Sequence, residues 1–331
     1  MRVFVTGGTG YIGLALCRRL VADGHELAVL VRPTSRTGPL ETLGVELFTG
    51  DIADRFSMRE GMSGADWVVH AAAELDFGAS SERIRAANVD GSRNVASLAW
   101  KLGVGRVLAI SSIARFGGSP GDGSAADEES PLLPPQSRYS ATKRAGEEAM
   151  RELAAQGLRL NVVYPSLVYG PPGPKGGANL LLRGVLKQRW PMLVGATRRM
   201  SWIHLEDLVE AIVRLMVRAE PGRDYVLAGD VAKLGEVVDR VAELGGVEPP
   251  RRRLSLPVGM ALARLMAPFY RMRGRRPPLN RDQLRSLATD WHFDDARARA
   301  ELDWQPRGLE AGLPATVEYL RQTLRGGKSP W

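Results

Sequence analysis

A glycine-rich stretch near the start of the chain joins an apolar strand pattern to a helical pattern without a gap. The strand pattern covers residues 2–5, the stretch reads TGGTGYIG at residues 6–13, and apolar residues at helical spacing occupy residues 14–22. A second strand pattern, Glu26–Val31, completes a βαβ unit. In such a unit, glycine lets the backbone approach a pyrophosphate, which the free amides of the helix N-terminus then bind. The stretch predicts a dinucleotide-binding loop; the alternative is a turn that is glycine-rich for steric reasons alone.

Strand and helix patterns alternate up to about residue 165. Such alternation implies an α/β fold, a Rossmann-type doubly wound parallel sheet whose ligands gather at the carboxyl ends of the strands. We expect residues 1–170 to form the dinucleotide-binding domain, with segments at about 200–230 returning to it. Residues 171–331 are expected to form mainly a smaller, mixed α/β substrate-binding domain. The later strand patterns lie at 45–48, Trp67–His70, Arg106–Ile110 and 160–164, and the helical patterns at 91–102 and 137–156.

The end of the second strand pattern indicates which dinucleotide is bound. NAD-binding proteins place an acidic residue about 20 positions past the glycine loop to bind the ribose 2′-hydroxyl, whereas a nearby arginine accommodates the 2′-phosphate of NADP. Here Arg32 and Arg36 follow the strand, with no carboxylate between them. A guanidinium binds a phosphate through two charge-assisted hydrogen bonds. NADP(H) is therefore favoured over NAD(H); the alternative is that both are ordinary loop arginines of a basic protein.

A tyrosine and a lysine stand four residues apart in a later helical pattern. At that spacing Tyr139 and Lys143 share one helix face, which brings the ammonium near the phenol. A neighbouring positive charge stabilises phenolate, so we expect it to lower the tyrosine pKa from its ordinary value of ~10. The pair would then suit proton transfer. By itself it is also compatible with a solvated helix face, and the glycine loop favours the catalytic interpretation.

The composition fits a large globular protein. With 331 residues, 44% hydrophobic and 25% charged, the chain can bury a sizeable core. Its single cysteine, Cys17, permits no intrachain disulfide, which favours a reducing compartment. The first strand pattern begins at residue 2, which leaves no room for a cleavable signal peptide, and no run of roughly 18 apolar residues is present to span a bilayer. We therefore expect a cytoplasmic protein, and we predict no metal site.

Further motifs follow the strand patterns in a fixed order along nearly the whole chain. They are Asp51-Ile52, His70-Ala71-Ala72-Ala73, Asn88 ahead of Gly91, Ser111-Ser112, residues 165–171 and residues 202–207. Together with the glycine loop and the tyrosine–lysine pair, they resemble the motifs of the extended short-chain dehydrogenase/reductases, the epimerase/dehydratase superfamily. The end of the second strand and the C-terminal segment are most similar to dihydroflavonol-reductase-like and 3β-hydroxysteroid-dehydrogenase-like members.

The resemblance implies a catalytic role for three residues. Tyr139 is expected to protonate the substrate oxygen during hydride delivery, or to take its proton in the reverse direction. Lys143 is expected to hold the nicotinamide ribose and to lower the tyrosine pKa. Ser112 is expected to hydrogen-bond the same substrate oxygen. The resemblance also implies a homodimer formed through the helices at 91–102 and 137–156.

Cofactor contacts are implied by the resemblance as well. Asp51 and Ile52 would contact the adenine. The alanines after His70 would pass beneath the phosphates and ribose, and the backbone near Pro165 would face the carboxamide. Asn88 is expected to hold the residues around the cofactor in place. The full set of expected cofactor-binding residues is Gly7, Thr9, Gly10, Tyr11, Ile12, Gly13, Arg32, Arg36, Asp51, Ile52, Ala71, Ala72, Ala73, Asn88, Tyr139, Lys143, Pro165 and Val168.

The substrate class is indicated less directly. Members that act on nucleotide sugars commonly place an arginine four residues before the histidine of the Ile-His motif, where it contacts phosphate. This chain has Met200 there, with Arg198 and Arg199 beside it as substitutes. A ring-shaped or acyl substrate instead needs apolar walls. The candidates for those walls, each also compatible with an ordinary core position, are Leu75, Phe77, Phe116, Trp190 and Trp202.

The motifs leave three functions open. The leading prediction is an NADP(H)-dependent oxidoreductase that reduces a ketone, or oxidises a secondary alcohol, of a lipophilic small molecule. The alternative is a nucleotide-sugar epimerase or dehydratase that recycles tightly bound NAD(P), so that no net NADPH is consumed. The third is a non-enzymatic NAD(P)-sensing regulator, which would not need Ser112, Tyr139 and Lys143.

The positive charge of the chain lies in its C-terminal third. Between Arg251 and Arg299 there are 12 arginines, no lysine and four aspartates, a surplus of +8 that equals the formal net charge of the entire chain. These arginines bracket an apolar segment with helical spacing at residues 256–270. We expect residues 251–276 to contact an anionic membrane peripherally, to cover a lipophilic substrate, or to form an ordinary domain helix with solvated arginines at its ends. Stacking aromatics are not interleaved with the arginines, so nucleic-acid binding is not predicted.

Overall fold

The computed structural model describes residues 1–75, 79–173, 176–189, 191–273 and 281–326. The strands in these ranges are β1 (Arg2–Thr6), β2 (Glu26–Val31), β3 (Glu46–Thr49), β4 (Trp67–His70), β5 (Arg106–Ile110), β6 (Leu160–Pro165), β7 (Leu167–Tyr169), β8 (Met192–Val194), β9 (Arg199–His204), β10 (Tyr225–Leu227), β11 (Asp230–Lys233) and β12 (Arg252–Leu254). Seven of them form the main sheet in the order β10-β6-β5-β4-β1-β2-β3, and every neighbouring pair is parallel.

Helices cover both faces of this sheet. The helices of the described residues, those of the smaller C-terminal region included, are α1 (Tyr11–Ala22), α2 (Gly38–Glu41), α3 (Arg59–Met62), α4 (Ser81–Arg85), α5 (Gly91–Lys101), α6 (Arg138–Ala154), α7 (Asn179–Leu186), α8 (Leu205–Arg218), α9 (Leu234–Gly245), α10 (Leu256–Met272), α11 (Arg281–Ser286), α12 (Ala296–Leu302) and α13 (Leu309–Leu324). Short 3-10 helices occupy Phe56–Met58 and Ile113–Phe116, and a π-helix occupies Ala86–Asp90. The prediction of a Rossmann-type α/β fold is confirmed.

Side chains that alternate along β1 point into two core layers, one on each face of the main sheet. Val3 and Val5 point toward a cluster that contains the buried faces of α1 and α8, whereas Phe4 points toward a cluster that contains those of α5 and α6. All three side chains are fully buried. A strand covered on both faces reads as a continuous apolar run, which is why the sequence pattern located these strands well.

The chain reverses direction across the sheet next to β1. After β3 it crosses over to β4 on the other side of β1, so that β1 and β4 flank the point where the strand order switches. Loops at the carboxyl ends of strands on either side of such a point diverge and leave a crevice. The glycine loop after β1 and the segment after β4 both lie there.

The last part of the chain forms a smaller region with its own core. Here β7, β9 and β11 make a three-stranded sheet, and β8 pairs with β12. The helices α7, α9 and α13 pack around a buried cluster that includes Tyr169, Leu182, Val238 and Leu313. One segment returns to the main sheet, because β10 pairs in parallel with β6 at its edge.

Three predicted strands, Glu26–Val31, Trp67–His70 and Arg106–Ile110, have the predicted bounds. The first helix instead begins at Tyr11, three residues before the start of the apolar pattern, because the end of the glycine loop already forms its first turn. Among the described residues, no helix is both long and apolar enough to cross a membrane.

Candidate active site

A cleft of about 720 Å³ opens at the carboxyl edge of the main sheet. Its walls come from the segments that follow β1, β2, β3, β4, β5 and β6, so the strand order itself assembles the site. The predicted residues that line it are Gly7, Thr9, Gly10, Tyr11, Ile12, Gly13, Arg32, Asp51, Ile52, Ala71, Ala72, Ala73, Leu75, Ser112, Tyr139, Pro165 and Val168. The predicted residues Arg36, Asn88 and Lys143 do not line it.

The glycine loop is closed by contacts that leave no room for side chains. Gly7 has a φ of +78°, and a Cβ built on it would lie 2.5 Å from the Ala72 backbone nitrogen. A Cβ on Gly13 would lie 2.2 Å from the Gly7 carbonyl oxygen. Gly7 therefore lets the loop pack directly against the backbone that follows β4, and Gly13 lets the start of the helix pack against the loop itself.

The start of α1 is suited to an anion. Its N-cap residue, Gly10, has no side chain to cap the helix, and the first turn contains no acidic residue. The first backbone amides of a helix lack intrahelical partners and carry the positive end of the helix dipole. Because these amides border the cleft, the residues present fit the pyrophosphate of a dinucleotide.

The ends of β2 and β3 form the far end of the cleft. The side chain of Arg32 is exposed, and the backbone amide of the same residue donates to Ser35 Oγ at 3.1 Å, which shapes the turn. Ile52 is buried against Gly91, where a Cβ would lie 2.7 Å from Ile52 Cδ1. Asp51 Oδ1 accepts from the Ala53 amide at 2.9 Å. One exposed guanidinium therefore lies at the same end of the cleft as Asp51 and Ile52.

Two hydroxyl groups meet in the cleft beside the glycine loop. Ser112 and Tyr139 are joined by a side-chain hydrogen bond, and each is half-buried. Burial raises the pKa of Tyr139 to about 12, and the hydrogen bond from Ser112 opposes this shift. The expected lowering of the tyrosine pKa by Lys143 is not what this structure shows, because desolvation of the phenol outweighs the opposing effects.

Lys143 lies behind the cleft wall. Its side chain is buried, and Nζ donates a hydrogen bond of 2.8 Å to the Ile110 carbonyl oxygen at the end of β5. Burial lowers the pKa of this lysine to about 8, and the nearby carboxylate of Glu147 opposes that shift. The ammonium therefore already has a backbone partner, the carbonyl oxygen of Ile110, which lies two residues before Ser112 in the chain.

Several hydrogen bonds fasten α6 to the turn that carries Ser112. The Ser140 hydroxyl donates to the Ala114 carbonyl oxygen at 2.5 Å, and the Arg144 guanidinium donates to the Arg115 carbonyl oxygen at 2.7 and 3.0 Å. Ser112 Oγ itself accepts from the Ala114 amide at 3.1 Å, which starts the short 3-10 helix. The tyrosine helix and the serine turn are thus held as one unit.

Asn88 does not line the cleft. It is buried in the π-helix, where its Oδ1 accepts from the Glu74 amide at 2.7 Å. Its Nδ2 donates to the Glu74 carbonyl oxygen at 3.2 Å and to Thr142 Oγ1 at 3.1 Å. The Asn88 side chain therefore joins the segment after β4 to α6. Its partner on α6, Thr142, lies between Tyr139 and Lys143 in the sequence.

Two of the predicted substrate-wall residues face the core and do not line the cleft. Phe116 is wholly buried, because the 3-10 helix turns it inward; its ring centroid lies 5.1 Å from that of Tyr164 in an edge-on contact and 5.4 Å from that of Phe293 in a tilted one. Trp202 is 1% exposed in the core of the smaller region, since it lies on the inner face of β9. Both assignments are wrong. Leu75 lines the cleft and is exposed; Phe77 and Trp190 lie outside the described residues.

The two arginines beside Met200 are already engaged. Arg199 Nε donates to Asp290 Oδ2 at 3.1 Å, and its Nη2 donates to the Gly123 carbonyl oxygen at 3.0 Å. Arg198 lies 3.8 Å from the same aspartate. Neither residue lines the cleft, so the geometry gives no substitute for the arginine that nucleotide-sugar enzymes commonly place here.

A charged pair in the cleft was missed from the sequence. Arg83 of α4 forms an ion pair with Glu74 at 2.8 Å, and both side chains line the cleft. No motif covers them, because they come from a loop and from the helix after it. The only sequence signal is that Glu74 directly follows the alanines after His70.

Comparison with known proteins shows where the chain belongs. The model of the NAD dependent epimerase/dehydratase family matches residues 3–228, which include the glycine loop, Ser112, Tyr139 and Lys143. The chain is a member of this family.

Similar proteins cover almost all of this epimerase/dehydratase-family member. It is 28% identical over 333 residues to a putative dihydroflavonol 4-reductase of Synechocystis sp., covering 96% of this chain and 94% of that protein. It is 28% identical over 323 residues to the 4-hydroxy-2-methyl-3-oxo-4-farnesyl-3,4-dihydroquinoline-1-oxide ketoreductase of Stigmatella aurantiaca, covering 94% and 95%. The crystal structure of gox2253 has a TM-score of 0.84 at 29% identity and 98% coverage of both chains. The predicted family and an NAD(P)-dependent enzyme class are confirmed.

Proposed function

We propose that this family member is an NADP(H)-dependent reductase that converts a ketone of a lipophilic small molecule to a secondary alcohol. The observation that carries the proposal is the hydrogen-bonded pair of Ser112 and Tyr139, which lines the same cleft as the glycine loop. The reverse oxidation would use the same groups. The nicotinamide, when bound, supplies or accepts the hydride.

The two hydroxyl groups handle the proton. With a pKa of about 12, Tyr139 is protonated at neutral pH and can donate its proton to the oxygen of a reduced carbonyl. Ser112 can donate a hydrogen bond to the same oxygen, which stabilises the negative charge that develops there. Lys143 is proposed to hold the nicotinamide ribose, exchanging its present bond to the Ile110 carbonyl oxygen for one to a ribose hydroxyl.

Arg32 supports NADP(H) as the cofactor. Its exposed guanidinium lines the end of the cleft near Asp51 and Ile52, and no residue between Arg32 and Arg36 is acidic. A 2′-phosphate placed there would gain charge-assisted hydrogen bonds that a 2′-hydroxyl cannot offer. We therefore propose a preference for NADP(H) over NAD(H).

Apolar groups near the tyrosine support a lipophilic substrate. Leu75 is 60% exposed in the cleft wall, and Ala72, Ala73, Ala86 and Ala87 line the same cleft. The related ketoreductase of Stigmatella aurantiaca is named for a farnesylated ketone. Because both arginines beside Met200 pair with an aspartate, the sugar-nucleotide alternative has no specific support.

The test is NADPH consumption with a panel of ketones that includes prenylated, acyl and steroid compounds, set beside sugar nucleotides. We expect turnover of a lipophilic ketone, and Tyr139→Phe should reduce its rate by roughly 10²- to 10⁴-fold while leaving NADPH binding intact. Tyr225→Phe is the matched control, because that phenol donates to Glu301 at 2.9 Å, away from the cleft. Unchanged turnover in Tyr139→Phe, or conversion of a sugar nucleotide without NADPH consumption, would refute the proposal.

We also propose a cytoplasmic homodimer. The helices α5 and α6 pack on each other, and Trp100 of α5 remains 41% exposed, a large apolar side chain suited to an interface. The single Cys17 is buried, in keeping with a reducing compartment. Light scattering after gel filtration should give twice the chain mass, and Trp100→Glu should give the monomer; a wild-type monomer would exclude the dimer.

A further inference from the structure

A row of large apolar side chains is exposed along α10. Val258 is 51% exposed, Leu265 79%, Phe269 50% and Met272 86%. Their spacings of seven, four and three residues place them on one face of the helix. We call these four residues the α10 stripe.

The other face of α10 is anchored to the fold. Gly259 is buried against β8, where a Cβ would lie 2.8 Å from Val194 Cγ1. The helix also packs on α11. The α10 stripe is therefore the outer surface of a docked amphipathic helix, and the orientation of the helix is fixed by what lies beneath it.

The surroundings of the α10 stripe are strongly basic. Residues 249–281 contain nine arginines and no acidic residue. Of these, Arg251, Arg252, Arg264 and Arg273 are exposed. The Arg273 guanidinium lies over the Phe269 ring, 4.0 Å from its centroid, so one positive charge is held directly at the apolar surface. A second copy of this chain would oppose arginine with arginine, whereas an anionic surface would be attracted.

The same region is joined by hydrogen bonds to the helix that carries Tyr139. Asp282, at the start of α11, accepts from Arg138 Nε at 3.1 Å, and Arg138 immediately precedes Tyr139. The Arg138 guanidinium also donates to the Ala79 carbonyl oxygen at 3.2 Å, beside the loop that contains Leu75. The α10–α11 pair is thus tied to the tyrosine helix, one residue away from Tyr139.

We propose that α10 docks this protein on the surface of an anionic phospholipid bilayer. The α10 stripe inserts among the acyl chains near the headgroups, and the flanking arginines bind lipid phosphates. The contact is peripheral. Docking does not depend on the reaction proposed above, although it would bring the enzyme to a bilayer in which lipophilic molecules concentrate.

The test is co-sedimentation of the full chain with phosphatidylcholine vesicles and with vesicles of equal parts phosphatidylcholine and phosphatidylglycerol, at low and high salt. We expect binding to the anionic vesicles that weakens as salt rises. The double variant Leu265→Ser/Phe269→Ser should bind at least about tenfold more weakly, because it lacks two apolar side chains that would insert among the acyl chains. Phe56→Ser is the matched control, since Phe56 is also an exposed phenylalanine with an arginine, Arg55, over its ring.

Each remaining outcome contradicts the docking. Failure of the wild-type chain to sediment with anionic vesicles would overturn it, as would equal binding by the double variant. Loss of a wild-type dimer in that variant, without any vesicle binding, would assign the α10 stripe to a second copy instead. Thermal melting of the variant checks that it folds, and turnover of a water-soluble ketone measures the proposed reaction separately from docking.

Discussion

The Ser111 hydroxyl donates a hydrogen bond of 3.0 Å to Glu147 Oε2, which joins the end of β5 to the middle of α6. This carboxylate is 4% exposed and also accepts from the Tyr164 hydroxyl at 2.9 Å. Arg115 and Arg151 form ion pairs with it at 3.1 and 2.8 Å. Because Ser111 precedes the proposed catalytic serine, the buried carboxylate positions the serine turn against the tyrosine helix.

We expect Glu147→Gln to destabilise the fold and to slow turnover. The change keeps an acceptor for Ser111 but removes the charge that faces two arginines in a buried site, which costs on the order of 3 kcal/mol in unfolding free energy. The matched control is Glu152→Gln on the same helix, whose exposed pair with Arg93 is worth about 1 kcal/mol or less. Urea unfolding of both variants measures the difference, and equal midpoints would show that the buried network contributes nothing.

Lys143 should produce a pH dependence in NADPH capture. Its pKa is lowered to about 8 by burial, so the free enzyme loses the ammonium as pH rises through about 8, and kcat/KM for NADPH should fall there. Tyr139 stays protonated over this range, and His70, with a pKa lowered to about 3 by burial, stays neutral.

The variant Lys143→Arg separates charge from position. An arginine remains charged throughout the accessible range, so the decline above pH 8 should disappear even if the absolute rate is lower. The measurement is kcat/KM for NADPH between about pH 6 and pH 10. A decline that persists unchanged in the variant would mean that another group titrates.

Cofactor preference should depend on Arg32 and not on Arg36. Replacing Arg32 by Asp removes charge-assisted hydrogen bonds worth about 1.5–3 kcal/mol, so NADPH affinity should fall roughly 10- to 100-fold while NADH affinity rises or stays level. Arg36→Asp is the matched control, because that side chain does not line the cleft. Titration of both dinucleotides by fluorescence tests this, and equal use of NADPH and NADH by the wild-type enzyme would remove the argument.

Phe116 and Leu75, which the sequence analysis both assigned to the substrate wall, give a contrasting pair of variants. Phe116→Ala should lower the unfolding free energy by about 3–5 kcal/mol, since the ring is wholly buried in the core. Leu75→Ala should change stability by no more than about 0.5 kcal/mol and should raise KM for the ketone, because that side chain is exposed in the cleft. Thermal melting and steady-state kinetics separate the two effects; a stable Phe116→Ala protein with a raised KM would restore the original assignment.

The local patterns of the chain determined the strands, the glycine loop and the position of the tyrosine helix. Strands buried on both faces are continuous apolar runs, and the βαβ spacing fixes which loops reach the carboxyl edge. The order of the motifs therefore predicted that the glycine loop, Ser112 and Tyr139 would meet, and it did so without knowledge of any contact.

Only the tertiary structure decided what surrounds each side chain. Phe116 and Trp202 face the core and not the cleft, Arg199 is paired with Asp290, and burial rather than Lys143 sets the Tyr139 pKa. Burial and ion pairing arise between segments far apart along the chain, and desolvation depends on everything packed around a group. A sequence records residue types and spacings, so it carries the periodicity of the fold but not the environment in which each functional group must work.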